Sequence, residues 1–121
     1  MMISDLASAR IYAPEPFWAV DIDDRHGGCG PGRLGDLFIP DTMYGLRITS
    51  ICKIHDWMYM VGETEEDREV ADRVFLNNLV RWINYKTSFL PLRWLRLIRA
   101  RSYYTAVRYF GGPAYWNTKN A

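Results

Sequence analysis

The run Cys52-Lys53-Ile54-His55-Asp56-Trp57-Met58-Tyr59 places an imidazole next to a carboxylate inside a segment with helical periodicity. Apolar and aromatic residues recur around it at three- and four-residue steps, which is the spacing of one helix face: Ile48, Ile51, Cys52, His55 and Tyr59. This pattern predicts a first helix from about residue 46 to residue 60 that stops near Gly62. We therefore expect His55 to lie on the apolar face of this helix.

A second helix is predicted from Thr64-Glu65-Glu66-Asp67, which has the spacing of a capping box with Asp in place of the usual Glu or Gln. It should run to about Trp82, and its buried stripe comprises Asp72, Phe75, Leu76, Leu79 and Ile83. A carboxylate in an apolar stripe needs a partner, because burying an unpaired charge is costly. We expect Asp72 to pair with His55 and to fix its tautomer. An ion pair with an arginine such as Arg47 or Arg101 is the alternative.

The glycine-dense stretch Gly27-Gly28-Cys29-Gly30-Pro31-Gly32 can bend so that several backbone carbonyls converge. Asp56 points about 100° away from His55 around the helix, so its carboxylate can bind a metal while His55 acts as a base. Carboxylate and carbonyl oxygens are the ligands that Ca²⁺ prefers. The sequence therefore predicts a calcium-assisted hydrolytic site, and a plain surface turn is the alternative interpretation of the glycines.

The 121 residues are predicted to form one mainly α domain. Residues 1–47 should be irregular, with the calcium loop and a short strand at Phe17-Trp18-Ala19-Val20. Residues 48–83 are predicted to form the catalytic helix pair, and residues 84–121 a basic C-terminal helix and tail. The third helix should begin at Pro91 and end before Gly111-Gly112-Pro113.

The two halves of the chain differ sharply in charge. All fourteen acidic residues lie at or before Asp72, whereas residues 73–121 contain nine Lys or Arg and no acid. The third helix is predicted to be amphipathic, with Arg93 and Arg96 outside and the following residues facing the core: Leu95, Ile98, Ser102, Thr105, Ala106 and Tyr109. Such a helix suits an anionic lipid surface, and an ordinary amphipathic helix with a solvated basic face is the alternative. Nucleic-acid binding is not expected, because no recognised module accompanies the charge, and no apolar run is long enough to span a membrane.

The only two cysteines are Cys29, in the glycine stretch, and Cys52, one helical turn before His55. A disulfide between them would stabilise the fold by roughly 3 kcal/mol on the chain-entropy estimate. Two reduced, buried cysteines are an alternative. A further alternative is a zinc site made by His26, Cys29, Cys52 and His55, since both pairs have a two-residue spacing.

Three motifs in order carry a resemblance to a known family: Cys29-Gly30-Pro31-Gly32, Cys52-x-x-His55-Asp56-x-x-Tyr59 and Ala71-Asp72-x-x-Phe75. They resemble the phospholipase A2 superfamily, particularly the phospholipase domain of parvovirus capsids, and the similarity covers about residues 27–79. The cysteine positions are similar to those of the secreted animal enzymes, in which a calcium-loop cysteine bridges to one three residues before the histidine. The run from Tyr103 to Gly112 is similar to small phage and prophage proteins.

The resemblance implies a phospholipase A2-like core of two packed helices, a metal-binding glycine loop and calcium-dependent hydrolysis of the sn-2 ester of phospholipids at a bilayer surface. His55 would activate water, Asp72 would orient His55 and Tyr59 would support the pair. Ca²⁺ would bind the Asp56 carboxylate and the carbonyls of three glycines: Gly28, Gly30 and Gly32. The many-disulfide scaffold of the secreted enzymes is absent, and so is the tyrosine that usually precedes the loop. A non-catalytic phage binding or structural protein on the same scaffold is therefore the alternative.

Overall fold

The computed structural model describes residues 8–12, 40 and 42–120. Within them the protein is mainly helical, with a two-stranded sheet and four helices. The strands are β1 (Thr42–Met43) and β2 (Leu46–Arg47), and the helices are α1 (Thr49–Val61), α2 (Glu65–Lys86), α3 (Leu90–Phe110) and α4 (Gly112–Asn120). The predicted fold class is thus confirmed at the level of a mainly α protein. The glycine loop and the predicted strand at residues 17–20 lie outside the described residues.

The first helix begins later than predicted because a hairpin precedes it. Strands β1 and β2 pair antiparallel, with Thr42 opposite Arg47 and Met43 opposite Leu46. Tyr44 and Gly45 connect them with positive φ angles of 49° and 83°, as a tight two-residue hairpin turn requires. The segment predicted to be mainly irregular, residues 1–47, therefore contains a hairpin at residues 42–47 that was not predicted. Helix α1 ends as predicted, with Gly62 donating its backbone N–H to the carbonyl of Met58.

Helix α2 begins with the predicted capping box. The Thr64 hydroxyl accepts a hydrogen bond from the Asp67 backbone at 3.1 Å, and the Asp67 carboxylate accepts one from the Thr64 backbone at 3.2 Å. These bonds satisfy donors that the helix itself leaves unpaired. The helix continues to Lys86, four residues beyond the predicted end. On its inner face, Asp72, Phe75, Leu79 and Ile83 are buried as predicted.

Helix α3 has the predicted length, but its orientation differs from the prediction. Its buried side chains are Arg96, Ala100, Tyr103 and Val107, whereas Leu95, Ile98, Ser102, Thr105 and Tyr109 are exposed. The expectation that these five residues face the core, with Arg96 outside, was wrong. Arg96 donates from Nη1 to the Thr87 hydroxyl at 2.7 Å and from Nη2 to the Tyr44 carbonyl at 2.6 Å, whereas its buried Nε has no hydrogen-bond partner among the described residues. Small Ala100 allows the helix to pack closely at this position.

Helix α4 was not predicted, because Gly111-Gly112-Pro113 indicated only a helix end. Gly111 does end α3, and Pro113 lies in the first turn of α4, where proline is tolerated. Tyr115 of this helix is fully buried and donates a hydrogen bond to the carbonyl of Thr64 at 2.5 Å. Lys119 donates to the carbonyl of Tyr59 at 2.6 Å. The short helix therefore packs against the end of α1 and the start of α2.

The core lies where α2 packs against both α1 and α3, which are the two largest interhelical contacts. The hairpin is attached to α2 by a hydrogen bond of 3.0 Å from the Trp82 indole to the Arg47 carbonyl. Residues 8–12 are attached to α2 by Asn78, whose side-chain amide accepts from the Tyr12 backbone N–H and donates to the Tyr12 carbonyl. Helix α2 is thus the central element that the others contact. None of the helices described has the combined length and apolarity that crossing a membrane demands.

Candidate active site

His55 and Asp72 form a buried pair between α1 and α2. The imidazole Nε2 lies 2.7 Å from Asp72 Oδ1, and the two side chains are 1% and 0% exposed. The pairing follows from the two apolar stripes, since each stripe carries one polar residue and the stripes face each other across the core. The prediction that His55 is the partner of Asp72 is confirmed.

Tyr59, one turn after His55, donates its hydroxyl to the same Asp72 oxygen at 2.6 Å. Burial, followed by the charge and hydrogen bond of Asp72, raises the pKa of Tyr59 far above its usual value, so it stays a protonated donor. A glycine at position 111 is needed for this packing, because a Cβ there would lie 2.7 Å from the Tyr59 hydroxyl oxygen. Tyr59 therefore supports the carboxylate in the position that the resemblance implied.

The other oxygen of Asp72 is bound by arginine, which is the kind of partner that the alternative interpretation expected, but different arginines supply it. Arg108, near the end of α3, donates from Nη1 to Asp72 Oδ2 at 2.7 Å, and Arg68 Nη1 lies 3.6 Å from the same atom. Arg68 also donates to the carbonyls of Val107 and Arg108. The arginines named in advance were wrong, since Arg47 donates to Thr49 and Arg101 is exposed.

The surroundings of Asp72 keep it ionised. Burial alone would raise its pKa, but the hydrogen bond and charge of His55, together with bonds from Tyr59 and Arg108, outweigh burial and lower it. An ionised carboxylate can only accept hydrogen bonds, so Nε2 of His55 carries the proton that it shares with Oδ1. In the neutral imidazole, Nδ1 then holds the lone pair. Nδ1 makes no hydrogen bond to any residue in the described ranges.

Two aromatic rings hold the imidazole between them. The ring centroid of His55 lies 4.2 Å from that of Tyr59 and 4.7 Å from that of Phe75. The ring is therefore fixed by packing as well as by its bond to Asp72. A histidine with one nitrogen anchored to a carboxylate and the other holding a lone pair can act as a general base.

Asp56 is the one predicted calcium ligand that lies in a described part of the chain. It follows His55 on α1 and is half-buried. Its carboxylate is a hard oxygen donor and suits Ca²⁺. The carbonyls of Gly28, Gly30 and Gly32 fall outside the described residues, so the predicted donor set is not tested. Across residues 8–12, 40 and 42–120, no three His, Cys, Asp or Glu side chains converge as a metal site.

Cys52 is buried on α1, one turn before His55. Its predicted partner Cys29 and the possible zinc ligand His26 lie outside the described residues. The disulfide and the zinc site therefore both stay predictions.

A cavity of about 220 Å³ lies beside the C-terminal half of α1. It is lined by Tyr12, Trp57, Met58, Val61, Gly62, Asp67 and Val70. Neither His55 nor Asp72 lines it, and Trp57 and Val61 lie about 160° and about 120° from His55 around α1, given the 100° step between helical residues. The cavity is therefore not part of the His55–Asp72 site.

Acid should destabilise the protein through Asp72. Its pKa in the folded state is lowered, so the stabilisation is complete above the usual carboxyl pKa of about 3.9 and is lost as the pH falls through the lower folded value. We expect the free energy of unfolding, measured with urea, to fall between pH 5 and pH 2. Glu65 and Asp67 also have lowered pKa values and will contribute. In the Asp72→Asn variant, the free energy of unfolding should therefore fall less steeply with falling pH than in the wild type. The slopes should differ by up to about 1.4 kcal/mol per pH unit. Equal slopes in the two proteins would contradict this assignment.

Comparison with known proteins gives no match: no protein-family model, curated protein or solved structure is significantly similar to this chain. Any functional assignment therefore depends on the geometry of the site and on the three sequence motifs.

Proposed function

We propose that this protein is a calcium-dependent, phospholipase A2-like hydrolase that cleaves the sn-2 ester of phospholipids. The observation that supports this most directly is the bond of 2.7 Å between Nε2 of His55 and Oδ1 of buried Asp72. This bond leaves Nδ1 as the basic nitrogen of His55. The next residue, Asp56, carries a carboxylate that can bind a metal. The order of the motifs supports the same chemistry.

In this proposal, Nδ1 of His55 takes a proton from a water molecule while the water oxygen attacks the ester carbonyl carbon. The imidazolium that forms is stabilised by the negative charge of Asp72. The protonated His55 then gives its proton to the departing glycerol oxygen as the ester C–O bond breaks. Tyr59 keeps Oδ1 in place by its hydrogen bond of 2.6 Å, so the ring does not turn away between these steps.

Asp56 would hold Ca²⁺ together with the carbonyls of Gly28, Gly30 and Gly32. When bound, the cation would supply positive charge for the oxyanion that develops on the ester carbonyl. Asp56 and His55 are consecutive residues of one helix, so their relative position is fixed by the backbone of α1. This rigid arrangement is what a site combining a metal ligand and a base requires.

The protein would bind its substrate at the surface of a phospholipid bilayer. The last 49 residues carry nine Lys or Arg and no acid, so this half of the chain would be attracted to anionic headgroups. The phage-like C-terminal motif is consistent with a protein that acts on bacterial membranes.

One observation favours the alternative, a binding or structural protein without turnover. Arg108 binds the second oxygen of Asp72 at 2.7 Å, and Arg68 lies 3.6 Å from that oxygen. These cations neutralise part of the charge that would stabilise a protonated His55. The carboxylate would then have a mainly structural role.

The test is release of fatty acid from mixed phosphatidylethanolamine and phosphatidylglycerol vesicles, with Ca²⁺ or with a chelator. Lipids labelled separately at the sn-1 and sn-2 positions identify the bond that is cut. We expect calcium-dependent release of the sn-2 chain only. A folded protein that releases no fatty acid under any condition would support the binding alternative. Stoichiometric zinc in the purified protein would instead favour the zinc site.

A further inference from the structure

The outward side of α3 is unusually apolar for a helix surface. Five large apolar residues at its N-terminal end are between 41% and 67% exposed: Phe89, Leu90, Trp94, Leu95 and Ile98. The four within the helix fall in a sector of about 140° at 100° per residue. We call these five residues the apolar face of α3. Contiguous exposed apolar side chains of this size indicate a surface that another molecule covers.

The exposure is imposed by the fold, because the opposite side of α3 is fastened to the core. Arg96 is buried and bonded to Thr87 and Tyr44. At the other end of the helix, Arg108 is bonded to the buried carboxylate of Asp72. Turning α3 to bury the apolar face would break all of these bonds and carry Arg96 into solvent. The helix therefore presents Trp94 and its neighbours outward.

The charged residues of α3 itself are all positive. Arg93, Arg99 and Arg101 lie on the same helix, and α3 contains no acid. Within the described part of the chain, these three guanidinium groups form no ion pair with a carboxylate. Arg99 instead donates to the Tyr44 hydroxyl at 3.0 Å, and Arg93 donates to the Thr87 carbonyl. Apolar residues bordered by uncompensated cations are complementary to an anionic interface with an apolar interior.

We propose that the apolar face of α3 docks onto an anionic phospholipid bilayer. Trp94, Leu95 and Ile98 enter the boundary between headgroups and acyl chains, and Arg93, Arg99 and Arg101 contact lipid phosphates. A second copy of this chain is a poorer occupant, because it would bring two strongly basic halves together. The choice of a lipid rests on the proposed function, although docking itself needs no hydrolysis.

The experiment measures sedimentation of the protein with vesicles in the presence of a chelator, so that turnover does not contribute. We expect binding to vesicles that contain phosphatidylglycerol, weak binding to pure phosphatidylcholine, and weaker binding at high salt. The double variant Trp94→Ser/Ile98→Ser should lose affinity by roughly tenfold or more, because two large apolar side chains no longer enter the interface. The matched control is Val70→Ser/Tyr85→Ser, which removes two exposed apolar residues of α2 and should bind like wild type.

Three results would overturn the docking proposal. These are no binding of wild type to anionic vesicles, equal loss in both double variants, or a wild-type dimer in solution that Trp94→Ser/Ile98→Ser dissociates. Hydrolysis of a monomeric short-chain phospholipid with Ca²⁺ separates this proposal from the proposed function. Vesicle binding without any hydrolysis would support docking and oppose the enzyme. Hydrolysis of the monomeric lipid without vesicle binding would do the reverse.

Discussion

Replacing Asp72 with alanine is expected to lower the free energy of unfolding by about 3–5 kcal/mol, because it removes the charged partner at the centre of a buried hydrogen-bond network. The carboxylate accepts hydrogen bonds from His55, Tyr59 and Arg108, and none of its surface is exposed. Alanine would leave these three donors unsatisfied and would place the Arg68 and Arg108 guanidinium groups side by side without the carboxylate between them. Urea unfolding at pH 7, followed by circular dichroism, measures the loss.

Glu69→Ala is the matched control, since Glu69 also faces Arg108 but is 51% exposed and 3.8 Å away. A solvent-exposed ion pair of this kind contributes at most about 1 kcal/mol. If Asp72→Ala does not fold, Asp72→Asn keeps the shape of the side chain and gives a measurable intermediate loss. A loss in Asp72→Ala no larger than that in Glu69→Ala would show that the network is not a major source of stability.

Replacing His55 with glutamine is expected to reduce phospholipid hydrolysis by about 10²–10⁴-fold, which is the usual contribution of a general base. The glutamine amide can donate to Asp72 Oδ1 in place of Nε2–H, so the stability should change little. It offers no basic nitrogen at the position of Nδ1, so the attacking water keeps its proton. The rate is measured on vesicles with Ca²⁺, and the free energy of unfolding is measured on the same sample.

Tyr59→Phe provides the graded comparison. It removes the hydrogen bond of 2.6 Å to Asp72 and keeps the ring that packs on His55, so its effect on the rate should be smaller than that of His55→Gln. Full activity in a correctly folded His55→Gln protein would rule out His55 as the base. Calcium dependence should persist in Tyr59→Phe, because the predicted metal ligands are unchanged.

The geometry of the His55–Asp72 pair could be predicted because both residues interrupt apolar stripes on consecutive helices. Each of the two side chains needs a hydrogen-bond partner inside the core. For His55 the facing stripe offers Asp72, and for Asp72 it offers His55. The capping box at Thr64 was equally predictable, since its two hydrogen bonds are local. The end of α1 at Gly62 was predictable too, because it depends on a local hydrogen bond from Gly62 to Met58.

The two arginines at Asp72 were harder to predict than His55. Arg108 is 36 residues away and reaches Asp72 only because α3 packs back on α2. Arg68 did leave a signal, since it lies four residues before Asp72 on one helix face. The predicted orientation of α3 was wrong because its large apolar residues were assumed to face the core. Close packing against α2 instead selects Ala100 and Val107, and the hairpin and Thr87 supply partners for Arg96.

Asp72 joins three separate helices at one carboxylate: His55 and Tyr59 on α1, its own helix α2, and Arg108 on α3. Local opening of any one of these helices near the site would therefore leave charged or polar groups of the other two without partners. Such opening should be cooperative rather than gradual, so that this region behaves as a single folding unit. The same contacts that would position a base thus also resist partial unfolding of the chain around it.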